Sequence, residues 1–104
     1  MKRKLNRILR IVAGFYGLKP RDVIKRDRHG LEVKARQMFH YIGRILGYSH
    51  DETARAVARD RTTAIYHYYV IRDEVDTREP LLFNEETNDS VNYLLDRCSK
   101  FKKL

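Results

Sequence analysis

The chain has 104 residues, 42% hydrophobic and 35% charged, which suffices for one domain with a real core and leaves no apolar run near bilayer length. Its single cysteine, Cys98, excludes an intramolecular disulfide, and no signal-peptide core follows the basic start, so a reducing cytoplasm is expected. The net charge of +8 is concentrated: residues 1–36 carry twelve Lys or Arg against three acids, while the remainder carries ten against eleven.

Such an excess points to a polyanionic partner, because each neutralised phosphate releases condensed counterions. Charge alone leaves DNA, RNA, an acidic membrane surface and a merely solvated basic face open. Leu5, Ile8, Leu9, Val12 and Phe15 or Tyr16 recur at helical spacing, which predicts an amphipathic helix over 3–16 stopped by Gly17. Pro20 suits the first turn of a short helix, roughly 20–25, with Val23 and Ile24 inward. Residues 25–30, Lys-Arg-Asp-Arg-His-Gly, have no periodicity and read as a basic loop. A longer helix at about 31–46 places Ala35, Met38, Phe39, Ile42, Ile45 and Leu46 on one face, with Gly47 as its cap.

Ser49 and Glu52 then form a capping box, which starts a helix of about nine residues reaching Ala58. Its inward side chains, Thr53, Ala54, Val57 and Ala58, are small enough for a neighbouring helix to pack close. Asp60 caps the next helix, about 61–76, whose core stripe reads Ala64, Tyr68, Ile71 and Val75. The opposite face begins with Thr62, Thr63, Tyr66 and Tyr69. A short helix, a tight turn and a longer helix make a helix-turn-helix pattern. Beyond Pro80 a final helix, roughly 87–102, aligns Val91, Leu94, Leu95, Cys98 and Phe101, a stripe that serves either the core or a partner. His29, His40, His50 and His67 fall in four segments without ligand spacing, so no metal site is expected. No carboxylate pair or nucleophile–base arrangement suggests catalysis, and no Gly-rich Lys-Ser/Thr loop suggests a nucleotide. No enzyme and no cofactor are expected.

Arg59-Asp60-Arg61-Thr62-Thr63-Ala64-Ile65 resembles the signature Arg-Asp-His-Thr-Thr-Val of the carboxyl-terminal DNA-binding domain of the bacterial replication initiator DnaA. Ala35-Arg36-Gln37-Met38 is similar to the Arg-Gln-Met of that family's long helix, and Ser49 with Glu52 to its capped first motif helix. The resemblance covers about residues 5–78 of a single domain, with the final helix as an addition. It implies an all-α, Trp-repressor-like bundle, a stand-alone version of one initiator domain, from a bacterium, a phage or a mobile element.

It also implies a docking mode on double-stranded DNA, serving replication initiation or transcription regulation. The helix starting near Arg61 would enter the major groove, with Ser49, Arg59, Asp60, Thr62, Thr63 and Tyr66 in the contact set. Arg26 or Arg28 would reach the minor groove, and Lys34 and Arg36 would hold phosphates. Arg61 replaces the family histidine, Tyr66 a later histidine, and the turn before Arg59 lacks the family's glycines. Arginine in that place suits guanine, so a shifted target sequence is expected. The alternative function is a protein-interaction module, or a homo-oligomer, built on the initiator-like fold or its final helix.

Overall fold

Six helices and one 3₁₀ turn form the fold in the computed structural model, which describes residues 2–25, 30–77 and 79–103; no strand occurs among them. The helices are α1 (Lys2–Phe15), α2 (Pro20–Ile24), α3 (Gly30–Ile45), α4 (His50–Ala56), α5 (Arg61–Val75) and α6 (Glu85–Cys98), followed by the turn Ser99–Phe101. Helix α3 buries nearly every position from Ala35 to Gly43, polar Arg36 and His40 included. A helix covered on all sides belongs at the centre of its bundle, and α3 packs against every other helix. Of its expected stripe, Ile45 is the exception and stands exposed.

Helix α1 lays Leu5, Ile8, Leu9, Val12 and Ala13 into the core and turns Arg3, Lys4, Arg7 and Arg10 outward. Helix α6 lies beside it in the opposite direction. Lys4 Nζ donates to the Lys102 carbonyl at 3.4 Å near one end, and the Phe15 and Tyr93 rings meet at 5.5 Å near the other. Val91, Leu94 and Cys98 are buried, with Leu95 and Phe101 packed on them, so the stripe of the final helix is part of the core. Burial pushes the Cys98 thiol up to about 11, which leaves it an unreactive filler. Helix α6 starts at Glu85, two residues earlier than expected, because Asn84 caps it by accepting from the Thr87 amide at 3.0 Å. Ahead of it, Leu81, Leu82 and Phe83 are exposed.

Three helices end in the same way. After α1, Leu18 N–H donates to Ala13 O and Gly17 N–H to Gly14 O, with Gly17 at φ +74°. After α3, Tyr48 N–H donates to Gly43 O and Gly47 N–H to Arg44 O, with Gly47 at φ +103°. After α4 the pattern repeats with Arg59 N–H to Ala54 O and Ala58 N–H to Arg55 O. Each is a Schellman closure, which needs one residue in the left-handed region. In the third that residue is Ala58, at φ +54°. The expected helix to Ala58 is therefore shorter, and Ala58 is exposed rather than inward.

Helices α4 and α5 form the helix-turn-helix across α3. Thr53 on α4 is fully buried, and a Cβ on Gly43 of α3 would stand 2.7 Å from its Cγ2. Glycine at 43 is what lets the two helices approach so closely.

Candidate nucleic-acid interface

The surface begins with the two N-caps. Ser49 Oγ accepts from the Glu52 amide at 3.1 Å, and Glu52 Oε1 accepts from the Ser49 amide at 2.9 Å. Lys103 Nζ also reaches Glu52 Oε1 at 2.7 Å, and this bond with the Ser49 amide holds the Glu52 carboxyl below its usual range. At the head of α5, Asp60 Oδ1 accepts from the Thr63 amide at 2.8 Å, which lowers the Asp60 carboxyl in turn. The cap is thus ionised and pinned at neutral pH, and it fixes the first turn of α5.

That turn presents its side chains outward. Arg61 and Thr62 are exposed, Thr63 is half-buried, and Tyr66, one turn on, is 65% exposed. Arg61 Nε stands 3.8 Å from Asp51 Oδ1, an exposed pair of little energetic weight that leaves the guanidinium available. Beside it Arg44, Ser49, His50, Asp51, Arg61 and Lys103 line a cleft of about 200 Å³. Arg44 and Lys103 were not expected there. Lys103 arrives from the far end of the chain because its amide donates to Leu46 O at 3.0 Å, a link that no local pattern announces.

Arg36 and Arg59 have structural work that sequence reasoning missed. Arg36 is 4% exposed; its Nε donates to Val23 O at 2.7 Å and its Nη2 to Lys25 O at 3.1 Å. Arg59 Nη2 donates to the same Lys25 carbonyl at 2.7 Å, and its Nη1 to Ile24 O and Val57 O at 2.9 Å each. Both are in the expected DNA contact set; in the DNA-free chain their two planar guanidinium forks hold the end of α2, and Arg59 ties it to the turn of the motif. Lys25 therefore leads into the basic loop from a point fastened beside the head of α5. Arg26 and Arg28 themselves lie outside the described residues.

Lys34 likewise has intramolecular partners. Its Nζ lies 3.3 Å from both Glu74 Oε1 and Thr87 Oγ1, and Thr87 Oγ1 donates to Glu74 Oε1 at 2.7 Å. Glu74 is thirteen positions past Arg61, about 20 Å along α5 at 1.5 Å per residue. Lys34 joins α3, α5 and α6 at the end of α5 away from Thr62 and Thr63.

Under the surface lies a group of histidines that the sequence leaves scattered. The His40 and His67 rings sit 5.3 Å apart, and the His50 ring packs edge-on to Tyr68 at 5.5 Å. His67, rather than Tyr68, shares the deepest stripe of α5 with Ala64 and Ile71; Tyr68 and Val75 are half-buried. Thr53 Oγ1 donates to His50 O at 3.3 Å and stands 3.0 Å from His40 Nδ1, which leaves His40 Nε2 without a partner. Burial lowers His40 to about 3 and His67 to about 4, with Arg36 and Arg59 adding repulsion. Both are neutral at physiological pH. Among the described residues no group of three His, Cys, Asp or Glu is placed to hold a metal ion.

The bacterial DnaA protein helix-turn-helix family matches residues 5–71, α1 through most of α5. The chain belongs to that family. No curated protein and no solved structure matches it. The DnaA helix-turn-helix is a DNA-binding domain, which makes double-stranded DNA the partner of this chain. Helix α6 and the tail that brings Lys103 to the cleft lie beyond the matched stretch. No helix among the described residues is long and apolar enough to cross a membrane.

Proposed function

We propose that this DnaA-type domain binds double-stranded DNA sequence-specifically, in regulation of replication or transcription and with no catalysis of its own. The head of α5 enters the major groove, where Thr62, Thr63 and Tyr66 meet bases or thymine methyls and Arg61 selects guanine. Arg26 or Arg28 enters the neighbouring minor groove, and Arg44 and Ser49 take phosphates. The supporting observation is the double grip of Arg36 and Arg59 on Lys25 O, which fastens the root of the basic loop beside α5.

The test is selection of bound duplexes from a random pool, followed by titration of the winner against rising salt. A defined motif and a steep fall of affinity with salt are expected. Thr63→Ala should then lose about 1–3 kcal/mol of discrimination at one base pair, whereas Arg28→Ala should weaken all duplexes and flatten the salt slope. A pool that stays random, with both variants binding like the parent, would sink this reading.

A further inference from the structure

A second cationic surface shares no residue with the α4–α5 face. Between α1 and the end of α6 lies an open cleft of about 490 Å³, lined by Arg7, Arg10, Ile11, Asp96, Arg97, Ser99, Lys100 and Phe101. Four cations face one carboxylate there, and none of the four is in an ion pair among the described residues. Two come from the first ten residues and two from the last eight, so folding has gathered them.

Along α6 the charge is sorted. Residues 85–96 hold four acids and no Lys or Arg, whereas residues 97–103 hold four Lys or Arg and no acid. A helix dipole accounts for cations at the end of α6 but not for Arg7 and Arg10 on a different helix. Aromatic rings sit beside these cations. Phe101 packs with Arg7 Cζ at 6.0 Å and Lys100 Nζ at 5.4 Å from its ring centre, and its carbonyl accepts from Tyr48 Oη at 2.7 Å. Arg97 is steadied over the Tyr93 ring at 5.9 Å. Like charges held together in a concave site raise the local potential, and guanidinium forks match phosphate oxygens two at a time.

We infer that the α1–α6 cleft is a second binding site for the phosphodiester backbone of DNA. It takes either a second duplex or the flank of the one read by α5. Five of its eight lining residues lie outside the stretch matched by the family, so it belongs to this chain rather than to the shared helix-turn-helix. The inference rests on DNA being the polyanion, but not on how α5 reads bases.

The experiment uses the full chain and the triple variant Arg7→Gln, Arg10→Gln, Lys100→Gln, all exposed positions whose change should leave the melting curve in place. In one arm, chain bound to an immobilised 30-base-pair duplex is offered a second, fluorescent duplex. In the other, affinity is compared for duplexes of about 15 and about 60 base pairs. If a second duplex is held, the parent captures it and the triple variant loses at least tenfold of that capture. If the flank is held, the parent gains affinity with length and the variant loses the gain. In either case the salt slope of the variant should fall by up to about 3, near 0.9 per lost contact. Arg7→Lys with Arg10→Lys should retain most of the effect.

A triple variant equal to the parent in both arms overturns the inference while leaving the α5 reading intact. Thr62→Ala with Thr63→Ala should lower sequence preference and spare the cleft effect, which separates the two sites. Loss of the cleft effect in that pair would overturn a separate site, and a parent chain that binds no DNA overturns both.

Discussion

Ala58 holds a backbone conformation that Gly17 and Gly47 hold elsewhere in the chain, and among the described residues it alone carries a Cβ there. The left-handed region costs an L-residue roughly 1–2 kcal/mol, part of which glycine gives back through unfolded-state entropy. Ala58→Gly should therefore stabilise the fold by about 1 kcal/mol, read as a higher urea midpoint at an unchanged slope. Gly43 is the opposite case. An added methyl would meet the buried, β-branched Thr53 at 2.7 Å, so Gly43→Ala should cost about 1–3 kcal/mol. Thr53→Ser, which removes the offending methyl but keeps the hydroxyl beside His40, should recover part of the loss in a double-mutant cycle. The absent glycines in the turn were plain in the sequence; that the turn forms regardless, around Ala58, was not. Propensity is a local quantity, and the packing of α4 on α3 overrides it.

At the scale of elements, α2, the loop root and the motif turn are joined by two arginines. Arg59 supplies a planar fork to the carbonyls of Ile24, Lys25, Val57 and Ala58, which no ammonium can match in the same plane. Arg59→Lys should cost about 1–3 kcal/mol in stability and on the order of tenfold in DNA affinity, through a displaced loop rather than a lost contact. Equal affinity in the variant, measured by anisotropy at fixed salt, would separate the loop from binding. The helices themselves were legible. Hydrophobic spacing located the long helices, Pro20 the short α2, and the capping residues Ser49 and Asp60 the starts of α4 and α5, because an N-cap is a local bond. The tasks of Arg36, Arg59 and Lys34 were not. Their acceptors are the Val23, Ile24 and Lys25 carbonyls and Glu74, partners that exist only once α2, α3 and α5 have met.

For the whole molecule, the histidines beneath the motif couple stability to proton concentration. His40 and His67 have folded pKa values of about 3 and about 4, below the ordinary 6.5, so the folded chain binds fewer protons than the unfolded one. Their contribution is complete above pH 6.5 and is lost as pH falls toward those values, at about 1.4 kcal/mol per pH unit for each. Urea unfolding at pH 7, 6 and 5 should show this decline, and His67→Gln should flatten it. A stability unchanged between pH 7 and 5 would contradict the neutral, buried pair. The sequence could not announce this group, since His40 and His67 stand 27 positions apart and meet only where α5 crosses α3.

The shared acceptor at Lys25 has a consequence for the target. Arg36 of α3 and Arg59 of the motif turn donate to that one carbonyl and fasten Lys25 beside the head of α5. If the proposed two-part docking holds, the protein would act as a caliper: a duplex would have to offer its two contacted patches at one spacing, and a base pair inserted between them would rotate one away from its jaw. Target selection would then test the length of a site along with its letters.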